Sequence, residues 1–413
     1  MSHSKANLGQ QGFDPDFANL GMFYEFAEGS SPMEIVGRTP DGKILLAGSA
    51  VLTVEGKPFH KIQVVQLLED GTPDPDFGTN GFVVRSFKDN HHAQTDAAHL
   101  LKDGKILLIG RHGEALTQLA FARFLENGSP DLAFGEDGVY IPPITSTPNL
   151  SPTTERKSRN ALPAPTAIGP RGEIFIANVN TITKYTSDGL KDDNFTATPV
   201  NIKAMRVSAS GKITVAGISL GSNQGIIGRL KPDGSEDEDY GDDGYVFFEA
   251  LPGNRNMTEI TCMVLREDDS VFVAGSADSN VSTPERATVR GMLAAFNNNG
   301  KPNLVFNGGK PVITELPSGQ SCRWKDIAHF APDKLVVVGS TGKRNIESSL
   351  IARYETSGVI DSSFGDNGHR VTDIGIGREE WLSVLVQPDE KILVSGDNTI
   401  EKVPATLVRY QKT

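Results

Sequence analysis

The sequence predicts an all-β fold, a seven-bladed β-propeller of four-stranded blades, on three observations. A short phrase recurs seven times, first as Pro40-Asp41-Gly42-Lys43-Ile44-Leu45-Leu46-Ala47-Gly48 and again at Asp103–Gly110, Arg171–Asn178, Ser210–Gly217, Asp268–Gly275, Asp333–Gly339 and Asp389–Gly396. No stretch shows a 3.6-residue apolar period. The chain starts and stops within the repeat unit, and the two fragments add up to one whole unit. A fixed repeat of this kind decides architecture before any single residue is read.

Each unit has a local explanation. Asp-Gly supplies the positive φ that a tight hairpin turn requires. The Ile, Leu and Val run behind it reads as a strand. A second apolar run ends near an Arg and an aromatic, as in Phe121-Ala122-Arg123-Phe124, Ile351-Ala352-Arg353-Tyr354 and Leu407-Val408-Arg409-Tyr410. An acidic, Gly-rich link follows: Asp74-Pro75-Asp76-Phe77-Gly78-Thr79-Asn80-Gly81, with versions at Asp131–Gly138, Asp237–Gly244 and Asp361–Gly368 and a degraded copy at Asn303–Gly309. One strand before each phrase and one after each link complete four strands per unit, the pattern of a propeller blade.

Blade repeats are about 60 residues long, with a Pro-rich insertion over 141–165. The expected organisation is a flexible N-terminus over 1–12 and one propeller domain over 13–413. The link fragment Phe13–Gly21 has no strands before it, and Thr406–Tyr410 has no link after it. Joined, they complete the last blade, so the N-terminal segment closes the ring and removes exposed strand edges. An open solenoid is the alternative, and it would need capping repeats.

The unit, with its Asp-x-x-Phe-Gly-x-Asp-Gly link and its Asp-Gly-Lys-Ile-Leu phrase, resembles the bacterial delta-60 repeat family of predicted β-propellers. The resemblance covers essentially the whole chain. It implies a fold and brings no common activity or binding residues. The fourth and sixth units depart from the family pattern.

Composition narrows the function classes. A net charge of −12 and a pI near 5.2 exclude a basic field for nucleic acid or anionic membranes. Cys262 and Cys322 are too few for a disulfide framework. They fall in successive blades, so either one bridge or two reduced thiols is open. Met1–Gln11 lacks an apolar signal-peptide core, and no apolar run reaches membrane-span length. The expectation is a cytoplasmic protein, or one exported without a signal of the usual kind, with no membrane insertion.

The link at Asp237–Gly244 is dense in oxygen ligands, so Asp237, Asp239, Asp242 and Asp243 are weak calcium candidates. The favoured reading is structural: the Asp residues cap turns, the link aromatic anchors beneath, and the recurring Arg123, Arg229, Arg353 and Arg409 pair with link carboxylates. No cofactor is expected.

In a propeller the Asp-Gly turns and the links share one face. The opposite face carries the irregular segments 87–95, 140–165, 251–258, 276–290, 316–325, 341–348 and 374–381. Irregular loops on a rigid scaffold are where binding usually resides. Candidate ligand-binding residues there are His91 and His92, Asn254 and Arg255, and the pair of segments Arg323-Trp324-Lys325 and Glu379-Glu380-Trp381. The two tryptophans form a stacking platform if exposed, or interblade packing if not. Four positions before each Asp-Gly turn, His99, Arg206 and His329 are expected to line the channel and to hold an anion or ordered water, or simply to be solvated. Glu34, Asp96, Asn201, Glu259, Asp326 and Glu380 resemble the calcium ligands of propeller lactonases, yet stand at the opposite parity. No Gly-x-Ser-x-Gly, His-Glu-x-x-His or Walker motif is present. The sequence therefore points to a non-catalytic module binding a protein or carbohydrate ligand. The alternative is a calcium-type hydrolase or lactonase at the channel mouth.

Overall fold

The computed structural model describes residues 12–27, 29–143, 165–178, 181–197, 201–219, 221–253, 256–279, 289–316, 319–330, 332–343, 346–374, 378–397 and 405–412. Seven antiparallel sheets stand as blades around a central channel. Their innermost strands are Glu34–Arg38, Ala93–Leu100, Thr166–Ile168, Ile202–Val207, Met257–Leu265, Cys322–Phe330 and Glu380–Val386. Six sheets have four strands. Blade 3 has three, and an isolated bridge between Ile182 and Ala197 stands in for its fourth. The only helical element among the described residues is a 3-10 turn at Asn307–Gly309.

The ring closes as the sequence predicts. Met22 and Phe23 pair with Val408 and Leu407 as the outer strand of blade 7. Phe13 bridges Tyr410, and the Asp14 amide donates to the Arg409 carbonyl. Blade 7 then packs on blade 1 through Leu393, Leu407, Ile35 and Leu46.

The apolar runs are continuous because both faces of every blade are buried. Ile44, Leu45 and Leu46 are all fully buried. Ile44 and Leu46 point toward blade 7, while Leu45 points toward blade 2. Alternation along the strand thus distributes side chains between two neighbours rather than between core and water. It also means that parity does not select a channel-facing side, since the channel sees mainly the edge of each inner strand.

The Gly that closes five of the phrases has a definite cause. Inner strands carry a β-bulge, with register shifts between Thr95 and Ala97, Ile202 and Ala204, Ile260 and Cys262, Trp324 and Asp326, and Trp381 and Ser383. The bulge presses a carbonyl against the facing strand. A Cβ at Gly110, Gly217, Gly275, Gly339 or Gly396 would overlap the carbonyl oxygen of Gln94, Asn201, Glu259, Arg323 or Glu380. Blade 3 has no shift in its register and ends its phrase in Asn178. Bulges bend a strand and increase its twist, and here Gly is the residue that admits them.

On the link face, a rivet recurs at the blade joints. Arg123 Nε lies 2.7 Å from Asp131 of its own link, with its guanidinium 4.5 Å above the Phe134 ring. Its NH1 donates to the Ser187 carbonyl of blade 3 at 3.1 Å. Arg353 repeats this with Asp361, Phe364 and the Lys412 carbonyl, and Arg409 with Asp14, Phe17 and the Glu69 carbonyl. Arg229 keeps the ring contact to Tyr240 and the carbonyls of Asn298 and Asp269, but Asp237 is held by Lys212 at 2.8 Å without it, whereas Lys105, Lys334 and Lys391 share the link carboxylate with the arginine. Burial alone would raise the Asp361 carboxyl; Ser363, Lys334 and Arg353 outweigh it and hold that group well below the ordinary range. The other carboxylate oxygen caps the turn, as where Asp131 Oδ1 accepts from the Ala133 amide at 3.2 Å.

The packing corrects one expectation and decides another. Trp324 and Trp381 are 0 % exposed and form no surface platform. Trp324 sits between blades 5 and 6 with its indole N–H donating to Thr314 Oγ1 at 3.3 Å; Trp381 sits between blades 6 and 7, donating to the Tyr410 hydroxyl at 3.2 Å. Flanking charges misled: the polar neighbours point out while the indole fills the joint. Cys262 and Cys322 are both free and buried in the Trp324 core.

Two outcomes are expected. In blade 1 the rivet position is Gln66, although Asp74, Phe77 and the backbone bonds of the joint are all in place. Gln66→Arg should raise stability by about 1 kcal/mol or more, read as the midpoint of urea unfolding; an unchanged or lower midpoint would show the joint cannot accept a guanidinium. Trp324→Ala and Trp381→Ala should each cost about 3–5 kcal/mol, measured the same way, and values under 1 kcal/mol would contradict the packing described.

Candidate functional site

With the link face occupied by rivets and turns, three polar groupings remain on the irregular face and in the channel. The first joins the two segments singled out from sequence. Lys325 Nζ lies 3.3 Å from Glu380, which also accepts from Ser340 Oγ at 3.1 Å. Arg378 Nε lies 2.6 Å from Glu347, and its NH2 3.4 Å from Glu380. Arg323 approaches Glu347 at 3.9 Å. The carboxylates are almost buried, at 8 % for Glu347 and 4 % for Glu380. The Arg323 and Arg378 side chains remain 40 % and 35 % exposed. Two guanidiniums are therefore held from below and open above. Glu379 is buried and serves the backbone, accepting from the Ile374 amide at 3.0 Å. Glu347 and Arg378 went unnoticed in the sequence, where each is one charge in a polar loop.

The second grouping surrounds His91 and His92. It gains His60 and Phe59 from the long hairpin of blade 1 and His112 from blade 2. The only sequence signal for this was the length of that hairpin, whose strands Ile44–Val54 and Lys57–Leu67 have 11 residues each. Asn254 and Arg255 lie outside the described residues, as do residues 1–11 and 144–164 of the expected N-terminal tail and insertion.

The third grouping is in the channel. Arg206 is exposed there, and its charge acts on His99 of blade 2, Glu34 of blade 1 and Asp326 of blade 6. His99 bonds Thr166 Oγ1 of blade 3 at 2.8 Å; enclosure, reinforced by Arg206, pushes it down to about 4, so its imidazole is neutral at pH 7. Glu34 is open to channel water yet ringed by protein. That enclosure and the charge of Asp326 push it up to about 7 against the pull of Arg206. Asp326 also bridges blades, accepting from the Val384 amide at 2.9 Å. His329 does not join them. It stacks on Phe272 of blade 5 with ring centroids 5.9 Å apart. Its turn places Asp333 where four of the phrases have Gly and the other two Asp269 and Glu390, so counting back four residues lands beside the equivalent residue, Ala328, which pairs with Val336.

The six acidic or amide positions do not converge as a set. Asp96 pairs with Arg111 at 2.9 Å, Glu259 with Lys203 at 3.8 Å and Glu380 with Lys325. Only Glu34 and Asp326 share the channel; the bulge between Ile35 and Gly37 resets the parity of Glu34, and the displaced turn at Asp333 that of Asp326. The calcium candidates diverge: Asp237 turns inward to Lys212, while Asp239, Asp242 and Asp243 are exposed. Among the described residues no three His, Cys, Asp or Glu side chains are arranged to hold a metal ion. Nor is any helix there long and apolar enough to cross a membrane.

Several solved structures are similar to the chain over most of its length. No curated protein matches the chain. The WD40 domain of Neurospora crassa Pan2 is similar at 11% identity with a TM-score of 0.52, over 94% of this chain and 90% of that one. YCF48 bound to D1 peptide gives 12% and 0.46, over 94% and 95%, and the polysaccharide lyase Uly1 gives 9% and 0.46, over 99% and 96%. A family described as "Domain of unknown function (DUF5122) beta-propeller" matches residues 39–77, 101–134, 209–238 and 331–364. Each match starts at the turn of a repeat phrase (Asp41-Gly42, Asp103-Gly104, Ser210-Gly211 and Asp333-Lys334), and three end on a link aromatic, Phe77, Phe134 or Phe364. Blades 3 and 5, whose links are degraded, and blade 7, split between the chain ends, are passed over. The chain is a seven-bladed β-propeller repeat protein.

Proposed function

We propose that this propeller is a non-catalytic binding module that takes a protein or carbohydrate ligand on its irregular face. One observation carries the reading: Arg323 and Arg378 stand half-exposed on that face, oriented by the nearly buried Glu347 and Glu380. Guanidiniums fixed in advance lose little entropy on binding, and their planar forks suit carboxylates and vicinal hydroxyls. The acidic surface disfavours nucleic acid as ligand. We place the protein in the cytoplasm, or outside the cell by a route without a conventional signal, and assign it no cofactor. In a glycan-array screen paired with a pull-down, Arg323→Ala with Arg378→Ala should cut capture about tenfold or more while leaving the melting temperature within a few degrees. Full capture by the double variant would remove this reading.

A second reading rests on the channel. Glu34 and Asp326, from blades 1 and 6, face the same Arg206, and a carboxyl held near 7 in an enclosed site suits proton transfer. This would be a hydrolase at the channel mouth, with calcium bound by the two carboxylates. Such a site makes thermal stability metal-dependent. Calcium should raise the melting temperature by several degrees and chelator reverse it if this reading holds. No shift with millimolar calcium, in wild type and in Glu34→Gln alike, supports the binding module instead.

A further inference from the structure

Four of the chain's eight histidines meet at one corner of the irregular face. The tip of the blade 1 hairpin there touches residues 86–92, which lead into blade 2. The His92 ring stacks on Phe59 with centroids 4.7 Å apart and lies 5.4 Å from the His60 ring. Its Nδ1 accepts the His60 backbone N–H at 3.1 Å. Its Nε2 faces Glu114 Oε2 of the blade 2 hairpin at 3.6 Å. Next to it, the His91 ring lies 4.8 Å from His112, and Ser86 Oγ donates to the His91 carbonyl at 2.6 Å while accepting from Lys61.

We propose that His92 is an acid-released latch. Neutral, it docks residues 86–92 onto the blade 1 hairpin; protonated, it lets that corner of the irregular face open.

The chemistry is local. An imidazolium has a proton on both nitrogens, so a charged His92 would set Nδ1–H against the His60 N–H, donor against donor. The compensating gain is small, because Glu114 is 3.6 Å away and its side chain is 77 % exposed. The surroundings oppose added charge. Facing the cluster are Lys61 on the blade 1 hairpin, Arg85 on the outer strand of blade 1 and Lys88 on the connecting loop, against Asp89 and Glu114. Three positive groups against two negative ones leave the corner positive before any histidine charges. Burial, with His92 beside it, holds His60 below its ordinary value, and burial, with His91 and Lys88, does the same for His112. The sign follows. A depressed histidine contributes stability that is present above its unfolded value of 6.5 and is lost as pH falls toward the folded one.

Hydrogen exchange on the whole chain tests the latch, with rates corrected for the intrinsic effect of pH. In the wild type, the His60 amide and residues 87–92 should lose about tenfold or more of their protection between pH 7.5 and pH 5.5, while the inner strands keep theirs. His92→Asn offers an acceptor oxygen near the place of Nδ1 and does not titrate, so it should lose clearly less protection than the wild type between the two pH values, the remaining loss being that of His60 and His112. Equal wild-type protection at both pH values would overturn the proposal. So would a loss in His92→Asn matching the wild type, or a loss spread evenly over all blades.

Discussion

The ring depends on one contact, the arginine that reaches from one blade to the next across its own link. Arg123, Arg353 and Arg409 each hold three partners at once: a link carboxylate, an aromatic face and a carbonyl of the following blade. A blade has no hydrogen-bonded ladder to its neighbour, so apolar packing alone would let sheets slide and tilt. A charged, planar fork with fixed donors removes that freedom. The acidic link supplies the carboxylate and the aromatic of this joint, which gives its recurring negative charge a structural role. At the last joint the rivet has a second duty: Arg409 and Asp14 are 395 residues apart in sequence and close the circle.

The fold was legible because its signals are local and repeated. Asp-Gly turns, apolar runs, links and split ends each state the same architecture, and such consistency is what specifies a fold. Even the pairing of the recurring arginines with link carboxylates could be read, since residue types and spacing recur together. Arg229 shows the limit: its blade keeps the motif, yet Lys212 takes the carboxylate. That blade differs in sequence by Ser210 where blades 1 and 2 have Asp and by Tyr240 where other links have Phe, and neither change signals the loss of the Arg–carboxylate contact.

The site was less legible for a geometric reason. Channel residues were inferred by alternation, which presumes an unbroken strand with one face inward. In this ring both faces meet other blades, and a bulge shifts the count within most inner strands. The bulge between Ile35 and Gly37 hides Glu34 from such a count, while in blade 6 the turn at Asp333-Lys334 displaces the count by one residue, hiding Asp326 and admitting His329. The closing Gly of the phrase was the visible trace of that bulge, since only a residue without Cβ tolerates the carbonyl pressed against it. The tryptophans failed differently: a Trp flanked by Arg and Lys looks exposed in one dimension, but neighbours in a strand point to opposite sides.

Where recognition resides then follows from what the scaffold has already used. Sheet faces are buried between blades, and the link face is committed to joints and capped turns. What remains open is the outer edges, the channel and the irregular loops. The loops alone combine variable length with charged groups held by buried partners, as with Arg378 over Glu347 and Glu380. A buried carboxylate beneath a half-exposed guanidinium adds little to stability, because its desolvation offsets much of the attraction. Its gain is direction: it keeps the guanidinium aimed at whatever approaches. That arrangement is costly for a mere surface and suited to a binding face, and it is why the proposed function is placed on the least repetitive charges of the chain.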